Sequence, residues 1–86
     1  MRTEDVFRSV NDSIAEKGFE LGLRLPWPFL CECSDMSCVA RLELTLEEYE
    51  ELRSHPGRYL TVPGHEVAKS VVVEQFEGMA FAERLV

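Results

Sequence analysis

Basic residues are scarce in this chain, and they do not cluster. Nine lysines and arginines stand against sixteen aspartates and glutamates, which gives a formal net charge of −7 over 86 residues. The phosphates of a nucleic acid or of an anionic membrane would therefore meet net repulsion. This charge balance argues against nucleic-acid binding, and it favours partners whose surfaces are basic or apolar.

The chain also lacks a long apolar run. No stretch approaches the roughly 20 residues that a membrane-spanning helix requires. The N-terminus has no basic segment followed by an apolar one, as a secretory signal would have. We therefore expect no membrane segment and a cytoplasmic location.

Cysteine is present in a small and odd number. Three cysteines fit a secreted disulfide framework poorly, and a reducing compartment suits cysteines that bind metal or do chemistry. Apolar residues make up 45% of the chain, which is typical of a folded protein. We predict a single small domain over residues 1–86, for which a metal or covalent cross-link would supply much of the stability.

The first predicted element is an amphipathic helix over residues 3–17. Its apolar stripe is expected to face the core and consists of Val6, Phe7, Val10 and Ile14. Thr3 is placed to cap the first turn of the helix. Gly18 is placed to take the left-handed conformation that ends it.

The rest of the chain predicts strands around a second short helix. Residues 29–44 are expected to form a hairpin that carries the three cysteines, and a valine-rich hairpin is expected over 70–85. Between them, Thr45 and Glu48 have the spacing of a capping box, which predicts a helix over 46–54. The predicted fold class is α+β, with two helices, a small antiparallel sheet and a zinc site that staples them.

One group of residues has the composition and spacing of a metal site. Its members are Cys31, Cys33, Cys38 and His65, the last of which follows a Pro-Gly pair. Alternate residues of a strand point to the same side, so Cys31 and Cys33 project together. Turn residues 34–37 then return Cys38 to them. Three thiolates and an imidazole are the ligand set of a closed tetrahedral zinc site, so we predict that the four residues bind Zn(2+).

Other interpretations of these residues remain open at this point. The cysteines have polar neighbours, which are Glu32, Ser34, Asp35 and Ser37. Such neighbours are unusual in a core and disfavour three unrelated buried thiols. A disulfide between Cys38 and either of the other two cysteines would leave one thiol over, and copper(I) or an iron–sulfur cluster is an alternative to zinc. His55 is an alternative ligand, but the rigid Pro-Gly turn favours His65.

Three functions are compatible with such a site. We predict first a cytoplasmic zinc-binding protein that serves as an interaction or regulatory module, with self-association as one form of interaction. A thiol-based redox or metal sensor is the first alternative, because oxidation of the thiolates would release the metal. A Cys-dependent enzyme is the second, with His65 and Glu66 activating one cysteine. We predict no enzyme, because no cysteine stands at a helix N-terminus and four ligands leave no open position on the metal.

Several motifs along the chain recur together in a known group of proteins. They are Phe29-Leu-Cys-Glu-Cys33, Cys38, Leu44-Thr-Leu-Glu-Glu-Tyr49, Arg53, Pro56 and Pro63-Gly-His-Glu66. This combination, which spans most of residues 8–76, resembles a group of small, uncharacterised bacterial proteins common in actinobacteria. The resemblance implies that the three cysteines and His65 form one shared site, and it implies no particular activity. The last strand, Met79-Ala-Phe-Ala-Glu83, departs from the usual pattern of the group.

Overall fold

A computed structural model describes residues 2–22 and 24–85, which form two helices and five strands. The elements are α1 (Thr3–Leu21), β1 (Trp27–Leu30), β2 (Arg41–Leu44), α2 (Leu46–Arg53), β3 (Arg58–Thr61), β4 (Ser70–Phe76) and β5 (Met79–Arg84). The strands pair into two antiparallel sheets, β1-β2 and β3-β5-β4. The predicted α+β class is confirmed, but the strands divide between two sheets. Neither of the described helices is long and apolar enough to cross a membrane.

Helix α1 differs from the prediction at both ends. Its N-cap is Arg2 rather than Thr3. The helix continues through Gly18 and ends at Gly22, whose φ of 67° is the left-handed conformation typical of a helix stop. Gly18 instead marks a close approach of the two helices, because a Cβ atom there would lie 2.9 Å from a methyl carbon of Leu46. The predicted stop at Gly18 was therefore wrong.

The buried face of α1 also differs from the predicted apolar stripe. Val6 and Val10 leave 44% and 41% of their surface exposed. The buried residues of the helix are Glu4, Asn11, Ala15 and Gly18. Apolar periodicity could not reveal this face, because two of its members are polar and depend on hydrogen-bond partners from distant parts of the chain.

The apolar core is built from both helices and both sheets. Its buried residues are Ala15, Phe29, Cys31, Cys33, Leu42, Leu44, Leu46, Tyr49, Leu52, Leu60 and Phe81. Leu42 and Leu44 alternate with exposed residues along β2, as the predicted period of two requires. Phe29 of β1 stacks on Tyr49 of α2, with 4.5 Å between the ring centroids. Two of the three cysteines therefore belong to the core.

Helix α2 begins at the predicted capping box. The Thr45 hydroxyl accepts a hydrogen bond from the Glu48 backbone N–H at 3.2 Å, and the Glu48 carboxylate accepts one from the Thr45 N–H at 2.8 Å. This exchange satisfies two N–H groups that the helix itself cannot pair. The helix buries Leu46, Tyr49 and Leu52, and it leaves its glutamates exposed. The prediction of this helix start is confirmed.

Strand β4 forms an edge of the three-stranded sheet. Its register against β5 is interrupted between Val72 and Glu74. The valine-rich segment was expected to be a strand, and it is one, but Val71, Val72 and Val73 are exposed. The buried residues of this sheet come from β3 and β5 instead.

Candidate metal centre

Three cysteines and one histidine meet where the two sheets adjoin. Cys31 and Cys33 follow directly after β1, and Cys38 lies shortly before β2. His65 lies in the loop between β3 and β4. The candidate ligand atoms of these four residues all lie within 4.8 Å of one another. The structure thus brings together every residue that the spacing indicated as a ligand, and His55 is not part of the group.

The separations of the His65 ring nitrogen from two of the sulfur atoms fit a tetrahedral metal site. The Nδ1 atom of His65 lies 3.5 Å from the Sγ atom of Cys31 and 3.5 Å from the Sγ atom of Cys38. Bonds of about 2.3 Å from zinc to sulfur and about 2.0 Å to nitrogen, at tetrahedral angles, separate the two ligand atoms by roughly 3.5 Å. The four side chains can therefore hold a metal ion, with Nδ1 as the imidazole ligand.

The loop between Cys33 and Cys38 is shaped by its own polar residues. The carboxylate of Asp35 accepts hydrogen bonds from the Ser37 backbone N–H at 2.9 Å and from the Ser37 hydroxyl at 2.7 Å. These bonds hold the pKa of the Asp35 carboxyl below its usual value. The Cys38 N–H donates to the Asp35 carbonyl oxygen at 3.1 Å, which closes the turn. The third cysteine is therefore positioned by local hydrogen bonds.

Backbone hydrogen bonds fix the histidine loop against the cysteine segment. The His65 N–H donates to the Val62 carbonyl oxygen at 3.0 Å, which closes the Pro-Gly turn. The Val62 N–H donates to the Sγ atom of Cys31 at 3.3 Å, a contact that stabilises a thiolate ligand. The Ser34 N–H donates to the Glu66 carbonyl oxygen at 2.9 Å. These contacts hold the imidazole beside the sulfur atoms.

The site is buried on one side and open on the other. Cys31 and Cys33 are buried, Cys38 is half-buried and His65 is exposed. Burial raises the pKa of the Cys31 thiol to about 12 and also raises that of Cys33. A bound cation would stabilise the thiolates that burial disfavours. Without a bound cation, the two buried thiols would resist ionisation.

Sequence reasoning missed a buried carboxylate between the first two cysteines. Glu32 has no exposed surface, although such a charged residue is unusual in a core. Its carboxylate accepts hydrogen bonds from the Asn11 side-chain amide at 2.6 Å and from the Leu60 N–H at 3.0 Å. It also forms an ion pair with Arg53. These partners offset the cost of burying the charge.

Asn11 and Arg53 connect this carboxylate to the two helices. The Asn11 side chain exchanges two hydrogen bonds with the backbone of Leu30, at 2.8 and 2.9 Å, and so ties α1 to β1. Arg53 donates to the Tyr49 hydroxyl and to the Arg58 carbonyl oxygen, both at 2.9 Å. Alternation in the hairpin predicted over residues 29–44 puts the residue between two ligands on the opposite face, but it does not show whether that face is buried.

Searches against protein-family models, curated proteins and solved structures gave no significant match. Membership of the small bacterial group that its motifs resemble stays a prediction.

Proposed function

We propose that this protein binds one zinc ion as a structural cross-link and that the zinc-stabilised domain acts by binding another protein. The ligands would be Cys31, Cys33, Cys38 and His65. The observation that carries the proposal is the convergence of these side chains at separations that suit tetrahedral coordination. Three sulfurs and one nitrogen complete the four ligands of a structural zinc site.

An interaction or regulatory role accounts for this site better than catalysis does. Four protein ligands would leave no position on the metal for water or substrate. The raised pKa of the Cys31 thiol works against its use as a nucleophile. The acidic chain, with its net charge of −7, suits partners with basic surfaces. We place the protein in the cytoplasm, where its three free cysteines would stay reduced.

The two histidines provide a matched pair of variants to test the zinc site. His65→Gln removes one ligand and should weaken zinc binding by at least about 100-fold, more than the loss of a supporting contact would. His55→Gln should keep the wild-type affinity, because His55 lies outside the cluster. Native mass spectrometry would give the metal content and identity, and competition with a chromophoric chelator would give the affinity. Equal affinities for the two variants, or a metal-free wild-type protein, would contradict the proposal.

A thiol-based redox or metal sensor is the second candidate, favoured by the exposure of one side of the site. Cys38 is half-buried and His65 is exposed, so an oxidant can reach this side. Oxidation of a thiolate would remove a ligand and release zinc. Stoichiometric zinc release at a low excess of peroxide, reversed by a thiol reductant, would support this function. Unreactive thiols under the same conditions would rule it out.

A further inference from the structure

An open cleft of about 470 Å³ lies between α1 and α2. We refer to it as the interhelical cleft. It is lined by Ala15, Phe19 and Tyr49, which we call its floor, and by the exposed residues Glu16, Glu20 and Glu50, which we call its rim. The cleft therefore combines an apolar base with negative charge at its edges.

The negative charge of the rim is not neutralised within the cleft. Arg53 also lines it, but its guanidinium already pairs with Glu32 and with Asp12. All three rim glutamates are exposed. Glu20 lies 3.6 Å from Lys17, in a solvent-exposed pair of the kind that contributes little. A cationic ligand would therefore meet a surplus of carboxylates.

The floor leaves an aromatic ring half-exposed. Phe19 exposes 49% of its surface, and it lies one helical turn beyond the buried Ala15. Helix α2 forms the other wall with Tyr49, Glu50 and Arg53, and its eight residues span about 12 Å, which is enough to contact about two turns of a helix. Grooves of this kind bind amphipathic helices through an apolar anchor flanked by charges.

We propose that the interhelical cleft binds a cationic amphipathic segment of another protein. An apolar side chain of the partner would pack on Phe19, and its lysines or arginines would pair with the rim glutamates. This proposal rests on the interaction role proposed above and assigns it a surface. Charge complementarity selects the occupant, because a second copy would bring another chain of net charge −7 to the same place. A neutral apolar partner would desolvate the rim carboxylates without pairing them.

The test uses the intact zinc-loaded protein and a synthetic helical peptide of leucine and lysine, about 15 residues long. The same peptide with glutamate in place of lysine is the control ligand. In amide NMR spectra, the cationic peptide should shift the signals of residues 15–20 and 49–53. Fluorescence anisotropy should show at least about tenfold weaker binding for the double variant E16K/E20K and for Phe19→Ala, since each removes a central contact.

Matched variants outside the cleft control for general charge and hydrophobicity. Phe76 on β4 exposes 45% of its surface, close to the value for Phe19, so Phe76→Ala removes an equivalent ring elsewhere. The double variant E43K/E77K makes the same charge change as E16K/E20K at two other exposed positions. Both control proteins should bind the cationic peptide within about twofold of wild type.

The proposal would be overturned by shifts concentrated outside the cleft, by equal losses in the cleft and control variants, or by equal binding of the acidic peptide. Concentration-dependent shifts at the cleft without peptide would identify a second copy as the occupant and would also overturn it. Zinc content is measured on each sample: peptide binding by a zinc-free wild-type protein would contradict the metal proposal alone. A zinc-loaded protein that does not bind the cationic peptide would contradict the proposal for the interhelical cleft alone.

Discussion

At the scale of single residues, the fully buried Glu32 has partners from three separate elements. It lies between two candidate metal ligands, and its carboxylate is bound by Asn11 of α1, Leu60 of β3 and Arg53 of α2. Removing the charge of a buried carboxylate leaves its partners desolvated and unpaired. This one side chain therefore links the cysteine segment to both helices and to the second sheet.

We expect Glu32→Gln to destabilise the zinc-loaded protein by about 3 kcal/mol. Glutamine keeps the size of the side chain, but it removes the charge that Arg53 pairs with and directs an amide N–H₂ group toward other donors. Urea unfolding at constant zinc would measure the change. The exposed Glu20→Gln should cost less than about 0.5 kcal/mol, because it loses only a surface pair with Lys17. Similar losses of stability in the two variants would show that the buried network around Glu32 does not stabilise the fold.

The two tyrosines predict an alkaline pH dependence. Tyr49 donates its hydroxyl hydrogen to Asp12 at 2.5 Å, and Tyr59 donates to Asp5 at 2.6 Å. Burial and these hydrogen bonds raise the pKa of both phenols above 10.0. Because the pKa is raised in the folded state, the stabilising contribution is complete below about pH 10 and is lost as the pH rises toward the folded-state pKa.

Absorbance measurements of phenolate formation would check this prediction. The native protein should ionise its tyrosines at clearly higher pH than the same protein in guanidinium chloride, where both should titrate near pH 10. Coincident titration curves would show that the two phenols are not protected by the fold.

At the scale of secondary structure, the two helices show which local sequence patterns are sufficient to predict where a helix begins or ends. The capping box at Thr45 and Glu48 correctly located the start of α2, because both partners lie within four residues of each other. The predicted end of α1 was wrong, because a glycine at position 18 favours a helix end as much as the glycine at position 22, where the helix ends. Packing against Leu46, which is distant in sequence, accounts for the glycine at position 18.

The left-handed stop at Gly22 can be tested by substitution. Gly22→Ala should destabilise the protein by about 1 kcal/mol, because a Cβ atom disfavours a φ of 67°. Apart from the neighbours of Gly22 in the chain, no heavy atom of the described residues lies within 4 Å of a Cβ atom built there, so the loss of stability would come from the backbone conformation. Gly22→Asn should cost less, since asparagine tolerates this conformation better. Thermal unfolding of the two variants would compare them, and an unaffected Gly22→Ala protein would argue against this helix end.

At the scale of the whole molecule, the candidate metal centre lies between segments that belong to two separate sheets. The cysteine segment extends from β1, whereas His65 follows β3. Direct hydrogen bonds across this junction include Glu32 N–H to Leu60 C=O at 2.6 Å and Ser34 N–H to Glu66 C=O at 2.9 Å. A metal ion bound there would cross-link the sheets and stabilise the buried cysteines of the core.

Removal of the metal should therefore unfold the domain as a unit. Structural zinc contributes on the order of 10 kcal/mol in small metal-dependent domains, comparable to the whole stability of a small protein. We expect EDTA treatment, or Cys33→Ser, to abolish the helical circular dichroism of both helices together. Met36→Ala is the matched control, because Met36 lies in the same loop and is 82% exposed. Its stability should stay within about 0.5 kcal/mol of wild type. A metal-free protein that keeps its fold and thermal midpoint would contradict a structural role for the site.

Local patterns in the sequence determined the elements, the fold class and the composition of the candidate metal centre. Strand alternation, turn residues and ligand chemistry operate over a few residues, so they indicated Cys31, Cys33 and Cys38 and their likeness to a zinc site. Only the tertiary structure decided which face of α1 is buried and that Glu32 lies in the core. It also brings His65, which the Pro-Gly turn favours over His55, to the cysteines. These features depend on contacts between residues about 20 or more positions apart, and the burial of a charged or polar side chain depends on whether such partners reach it.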